Sequence, residues 1–254
     1  MDRPMTDPTA RFGACADAYA RGRPGYPAAL RDLLVAAGLG PGARVVELGA
    51  GTGLSTELLL ATGAQVFAVE PNPAMRAHLA ARFAAAPRLT VVAGSAEATT
   101  LPDRAAEHAV VMQAFHWFDV EATRRELARV LAPGATVVLA WNTRRATTPF
   151  MRDLEAIFRR FAPDYDHLGH VGAQRAAKVA AFFRHGHRHV ALDHQHPVDA
   201  AGLADYVASV SYLPAAGHPD HPALLAATAA LLAAHPAPRA LAYVTDVYLA
   251  PLPA

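Results

Sequence analysis

Cysteine is almost missing from this chain: Cys15 stands alone among 254 residues. That excludes an internal disulfide and a cysteine-based zinc site. Lysine is equally scarce, since Lys178 is the only one and arginine carries nearly all the positive charge. There is no long run of one sign, and 23 basic against 22 acidic residues leave a formal net charge of +1. Such a balance gives no extended field for a nucleic acid or an anionic membrane, and neither is expected as a partner. No stretch is apolar for the length of a membrane span, and Met1-Asp2-Arg3-Pro4 lacks the apolar core of a signal peptide. A soluble, cytoplasmic protein is expected, with its oligomeric state open.

What is present is apolar residue in quantity, 53% of the chain, enough for one large α/β domain with a sizeable core. The organising stretch is Val45-Val46-Glu47-Leu48-Gly49-Ala50-Gly51-Thr52-Gly53. An apolar run reads as a buried strand, a glycine-rich turn follows, and a helical pattern opens behind it. Glycines let backbone approach a ligand closely, and the helix start offers free N–H groups. The spacing is not that of a dinucleotide site. G-x-G-x-x-G counted from Gly49 needs glycine at Leu54, and counted from Gly51 needs it at Thr56. Glu47, at the strand end, would repel a pyrophosphate and favour a ligand carrying an ammonium group.

Glu47-Leu48-Gly49-Ala50-Gly51-Thr52-Gly53 resembles the first motif of the class I S-adenosylmethionine-dependent methyltransferases. The fold this implies is α/β: a doubly wound, mostly parallel seven-stranded Rossmann-like sheet with a helical N-terminal segment and a helical lid insertion. Residues 1–40 would form the N-terminal helical cap, 41–145 the S-adenosylmethionine-binding core, and 146–254 the lid helices and closing strands of the same domain. Strand, turn and helix signals fit. Gln65–Val69 reads as a second strand ending at Glu70, an acid placed to accept from ribose hydroxyls. Pro71 and Met75 open the next helix, where Met75 would meet the adenine edge. Ser95-Ala96-Glu97 resembles the segment in which the same enzymes carry Asp-Ala-Glu, so that a neutral hydroxyl stands where an acid would meet the adenine amino group. Gln113, at the end of a fourth strand, and Thr52 complete the expected cofactor contacts.

The loop Tyr19-Ala20-Arg21-Gly22-Arg23-Pro24-Gly25-Tyr26-Pro27 and the string Ala114-Phe115-His116-Trp117-Phe118-Asp119 resemble the trans-aconitate methyltransferase-type subgroup. The resemblance puts Tyr19 and Arg23 near cofactor or substrate carboxylate. It makes Arg21, Tyr26, Trp117, Trp141, Asn142, Arg144, Tyr165 and Tyr212 substrate-facing candidates. His116 is either a general base or a wall of the pocket. Asn/Asp-Pro-Pro-aromatic, the mark of base-methylating enzymes, is absent at this point. The leading reading is methylation of a small molecule, foremost carboxyl O-methylation, with hydroxyl or carbon methylation second and a non-catalytic cofactor-binding protein as the rival. His185, His187 and His189 suggest one face of a strand, and a metal site is not expected. Late strands near 187–196 and 240–249 would complete the sheet with one reversed edge.

Overall fold

The computed structural model describes residues 22–162, 165 and 171–252. Tyr19 and Arg21, most of the expected N-terminal cap, and His167 and His170 lie outside them. Helices separate the strands everywhere but between β3 and β4: β1 Arg44–Leu48, β2 Gln65–Val69, β3 Leu89–Val92, β4 Ala106–Met112, β5 Leu131–Arg144, β6 Arg188–Pro197 and β7 Ala240–Pro251. They form one sheet in the order β3-β2-β1-β4-β5-β7-β6.

The alternation of side chains along each strand builds two separate cores. Val46, Leu48, Ala109, Val111, Val137 and Leu139 point to one face, where α4 (Val120–Val130) and α6 (Val171–Phe182) cover them with Leu127, Val130, Val179 and Phe182. Val45, Val66, Val110 and Val138 point to the other face. There α1 (Ala28–Ala36), α2 (Leu54–Ala61) and α3 (Pro73–Arg82) contribute Leu30, Leu34, Leu59 and Leu79. The central strands are therefore apolar on both sides, as a doubly wound sheet requires.

A third core holds the excursion between the strands. Phe150, Met151, Leu154 and Phe158 of α5 (Pro149–Phe161) pack with Leu203, Tyr206 and Val207 of α7 (Ala200–Ser209). Leu224 and Leu231 of α8 (His221–Ala234) and Leu241 and Tyr243 of β7 complete it. This block sits over the carboxyl ends of β5 and β6, where a substrate lid was expected.

Three expectations are corrected. The reversed strand is not an edge: β7 runs antiparallel between β5 and β6, with Arg144 opposite Tyr243 and Pro197 opposite Ala240. The reason is connectivity, because β6 delivers the chain to the lid end of the sheet and a strand leaving from there must run back. The histidines do not share a strand face, since β6 starts only at Arg188 and His185 lies in a turn made by Gly186 at φ +89°. His189 alone of the three is in the strand, 3.0 Å from Asp246 and stacked on Tyr248. Among the described residues no three His, Cys, Asp or Glu side chains converge as metal ligands. The apolar run Thr136–Trp141 reads in the sequence as a fifth strand, but β5 begins earlier, because Leu131 pairs with Ala106 before a bulge resets the register at Thr136. No described helix is long and apolar enough to cross a membrane.

Phe158 is fully buried in the third core. Phe158→Ala should cost about 3–5 kcal/mol in chemical denaturation. Hydrogen exchange should place the loosening in α5, α7 and α8, with β1 and β4 keeping their protection.

Candidate functional site

The carboxyl ends of β1, β2, β4 and β5 converge on one crevice. At β1 the chain turns sharply: the amides of Gly49 and Ala50 donate to the Val69 carbonyl at 2.9 and 3.2 Å. Gly49 has φ +71°, and a Cβ there would lie 2.6 Å from that of Ala114. Gly53, at φ +90°, opens α2, and a Cβ there would meet Leu79 and Phe83 at 2.5 Å. Glycine is required at both positions by conformation and by space. The loop thus presents bare backbone, with the buried Thr52 hydroxyl beside it, unpartnered among the described residues.

Two carboxylates brace this loop. Glu47 is completely buried. One of its oxygens accepts from Ser55 Oγ and the other from Thr56 Oγ1 at 2.6 Å. Burial pushes its pKa up to about 7, against the pull of the two hydroxyls, and the neighbouring Glu70 charge adds to the rise. Its side chain is turned into the first turn of α2, where both oxygens are engaged by the Ser55 and Thr56 hydroxyls. Glu70 follows β2, and its two oxygens accept from the Asn72 and Gly51 amides, each at 2.9 Å. Burial raises its pKa, and these amides and Arg76 work the other way. Each oxygen keeps a second lone pair for a ligand hydroxyl.

The remaining cofactor candidates gather around this pair. Met75 is buried, its sulfur near Gly51, and Asn72 caps α3 through Ala74 and Met75 amides at 2.9 and 3.1 Å. Pro71 is exposed and its carbonyl takes a 2.7 Å bond from Arg76. Beyond β3, Ser95 Oγ accepts from the Glu97 amide at 3.2 Å, Ala96 is buried, and Glu97 accepts from the Asp119 amide at 3.1 Å. Gln113 ends β4 at φ +59°, a rare conformation for a residue with a side chain, and its Nε2 donates to the Asn142 carbonyl at 3.1 Å. Arg23 reaches instead to α7, donating to the Ser209 carbonyl at 3.2 Å.

The substrate candidates divide. Asn142 faces the crevice, donating to the Gly25 carbonyl at 3.1 Å and accepting from Thr245 at 2.6 Å. Trp141 does not face it: adjacent strand residues point oppositely, and Trp141 is buried between Phe115 and Tyr248, under the Arg175 guanidinium. Tyr26 packs against the core beside α1. Arg144, Tyr165 and Tyr212 come together. Arg144 Nη2 donates to Tyr165 and Tyr212 hydroxyls at 3.0 and 2.7 Å, Nη1 donates to Tyr206 at 3.0 Å, and Nε donates to Glu155. The Arg144 guanidinium is thus already held by four partners.

His116 lies in the one-turn 3-10 helix Phe115–Trp117 after β4. Its Nδ1 is buried and unpartnered among the described residues. Burial lowers its pKa to about 4, and the Lys178 and Arg175 charges push the same way. Its ring stands 4.9 Å from that of Trp117.

Sequence reasoning missed Ser55, Thr56, Glu155, Tyr206, Tyr243, Arg175 and Lys178 as parts of this region. Glu155 had a signal, an acid one residue beyond the buried Leu154 on a helix whose apolar face also holds Phe158. The hydroxyl pair Ser55-Thr56 in the first turn of α2, behind an acid-ended strand, was another.

Glu47→Gln tests the buried charge. Glu47 has a raised native pKa, so its contribution to stability is complete below its ordinary value near 4.5 and is lost as pH climbs through about 7. The melting temperature of the parent should therefore fall between pH 5 and pH 8 relative to that of the Gln variant, and equal slopes would refute the assignment.

Known proteins resemble this chain over the same region. Residues 46–139 match the family model described as a methyltransferase domain. An uncharacterised methyltransferase of Mycobacterium tuberculosis is 40% identical over 154 residues, covering 61% of each chain. An uncharacterised methyltransferase-like protein of Schizosaccharomyces pombe is 34% identical over 58% of this chain and 57% of its own. The chain thus spans less than two thirds of the curated relatives it matches. Among solved structures, a SAM-dependent methyltransferase of Geobacter sulfurreducens, in complex with S-adenosyl-L-homocysteine, matches with a TM-score of 0.54 at 22% identity, covering 97% of this chain and 100% of that one. One from Thiobacillus denitrificans, with the same compound, matches with a TM-score of 0.53 at 19% identity over 98% and 99%. The fold is the Rossmann-like methyltransferase fold, and within it residues 46–139 are similar to a methyltransferase domain.

Proposed function

We propose that the protein is an S-adenosylmethionine-dependent methyltransferase acting on a small molecule, with carboxyl O-methylation as its reaction. The observation that carries this reading is the pair of buried acids at the ends of β1 and β2, bracing a loop of bare backbone. A cradle that rejects a Cβ at Gly49 and Gly53 and holds an unpartnered Thr52 hydroxyl suits a flat nucleoside with a charged amino-acid tail.

When bound, that cofactor supplies an electrophilic methyl group on a sulfonium centre. The residues of this chain would hold it as follows. Glu70 accepts from the ribose hydroxyls with its remaining lone pairs, while Pro71 and Met75 flank the base. Ser95, Ala96 and Glu97 border its edge, and Gly49, Gly51 and Gln113 line the path towards the methyl group. Tyr19, Arg23, Arg21, Tyr26 and Trp117 remain candidates of the loops that close over it. Glu47 offsets the positive charge through the loop, so a cation in the crevice would draw its pKa down and release a proton near neutral pH.

The acceptor chemistry follows from what is missing. A carboxylate is ionised at neutral pH and needs no base. His116, with a pKa near 4, is a poor base for a phenol or an amine at that pH, and its ring, partly buried with its Nδ1 turned inward, suits a wall. The protein's work is then to hold nucleophile, methyl and sulfur in line and to exclude water. A non-catalytic cofactor-binding protein would need a filled acceptor side, whereas Tyr165, Tyr212 and His116 are only partly buried here.

Calorimetry with S-adenosylhomocysteine should give micromolar binding, and Glu70→Ala should weaken it about tenfold or more through loss of charged hydrogen bonds; no heat with either cofactor form would end the proposal. For His116→Ala, a modest loss of turnover with an unchanged pH profile from pH 5.5 to 8 is expected. Disappearance of a basic limb would instead assign His116 as the base.

A further inference from the structure

A neutral imidazole has one proton for two nitrogens, so it donates at one edge and accepts at the other. His116 is such a ring, held neutral at neutral pH by burial and by the Lys178 and Arg175 charges. Its two edges meet different surroundings. Nδ1 is buried and has no partner among the described residues. Nε2 has no described partner either, but it stays open to solvent on a half-buried side chain.

These surroundings decide where the proton sits. A proton on Nδ1 would be a donor buried without an acceptor, which is the costly choice. The acids of the neighbourhood are engaged elsewhere. Glu97 takes the Asp119 amide at 3.1 Å, and Asp119 takes the Ala122 amide at 2.7 Å. Asp246 lies 3.0 Å from His189 and 4.0 Å from Arg175. With the proton on Nε2, the buried edge carries a lone pair, which the field of the two cations favours, and the N–H is left for water or for a ligand.

The turn that carries the ring is firmly held. Lys178 Nζ donates to the carbonyls of His116 and Phe118 at 2.8 and 3.2 Å. Phe115 is fully buried, and the Trp117 ring stands 4.9 Å from the imidazole. Ala114 and Phe118 lie against Gly49, where a Cβ would come within 2.6 and 3.4 Å of them. The loop therefore borders the glycine turn, at the crevice.

Resting on the methyltransferase reading, we propose that His116 is a specificity-determining residue, a neutral Nε2–H donor that hydrogen-bonds an oxygen of the methyl acceptor. It removes no proton. It favours a molecule with an oxygen lone pair beside the reacting centre. It disfavours one that brings an ammonium group there, because two donors would then face each other. The lone pair it engages is not the one that attacks the methyl group, since a hydrogen bond to the attacking pair would weaken the nucleophile. Lys178 positions the turn and does not touch the acceptor.

Two-bond 15N–1H correlation spectra of the full chain saturated with S-adenosylhomocysteine read the tautomer. His116 should show the Nε2–H pattern from pH 5.5 to 8. An Nδ1–H pattern, or protonation within that range, would overturn the proposal. The same complex is titrated with benzamide and with benzylamine, which share a ring and present a carbonyl oxygen or an ammonium group. Benzamide should bind about fivefold or more tightly, and it should move the His116 Nε2 resonance. His116→Gln, whose amide keeps a donor near the Nε2 position, should hold benzamide affinity within about twofold, while His116→Leu should lose about fivefold. Equal binding of the two compounds, no binding of benzamide, or the same loss in both variants would count against the donor. The tautomer and the benzamide–benzylamine comparison need no variant, so a substitution that fails to fold leaves the test standing. The Nε2–H form and the benzamide preference in a chain that takes no S-adenosylhomocysteine would keep the donor and sink the methyl-transfer reading.

Discussion

A carboxylate buried in the heart of a sheet, with hydroxyls and no arginine for partners, is the constraint on which the site depends. Moving Glu47 out of water is costly unless its oxygens are bonded. Ser55 and Thr56 meet that need, and both belong to the first turn of α2. The start of α2 is thereby pulled down onto the end of β1. The three residues between Gly49 and Gly53 must then close a very tight turn, which is why side chains are excluded at both ends of it. The bare backbone facing the crevice is a consequence of how the acid beneath it is held.

The opposite solution operates at the end of β5. Arg144 is buried with an acid, three phenols and an aromatic face, so its charge is neutralised and its donors are nearly all engaged. Its partners come from α5, from Tyr165 beyond it, from α7 and from Tyr212 after α7. One side chain on the sheet therefore ties together α5, α7 and the residues that follow each of them. Breaking a buried pair of this kind leaves an uncompensated charge, so the lid's docking and its polar lining are not separable by mutation of Arg144, although they are separable at the phenols.

The sheet was legible in the sequence because central parallel strands are apolar on both faces and are punctuated by turns. Val45–Leu48, Gln65–Val69 and His108–Gln113 carried that signature, and Gly49-Ala50-Gly51-Thr52-Gly53 marked the crevice. Glu70 could be placed because it closes a strand. What escaped were directions of side chains and pairings over long distances. Trp141 and Asn142 looked alike in the chain and face opposite sides of the sheet. Arg144, Tyr165 and Tyr212 were named separately, but nothing in their spacing says that they meet, since they are brought together by three different elements. Tyr206 and Glu155 read as residues of amphipathic helices, and their polar role depends on an arginine that α5 and α7 reach only after folding. A reversed late strand was expected, but its place between β5 and β6, rather than at the edge, depends on pairings that local patterning does not encode.

The two buried centres stand on different sides of the crevice. Glu47 and Glu70 lie at the ends of β1 and β2, while Arg175, 4.0 Å from Asp246, and Lys178 lie on the β5 and α6 side. Lys178, the chain's single lysine, donates to the carbonyls of His116 and Phe118 at 2.8 and 3.2 Å and so fixes the loop between the two sides. Its charge and that of Arg175 are part of why His116 stays neutral. The charges of a cationic methyl donor and an anionic acceptor would cancel as the methyl moves. Such a reaction gains from a site that is shielded from water, because a dispersing charge needs less solvation than the separated ions. The protein would then promote transfer by orientation and by exclusion of solvent, with the proton inventory of its histidine left untouched, and a histidine held neutral by burial and by two cations is consistent with chemistry that asks for no proton to be removed.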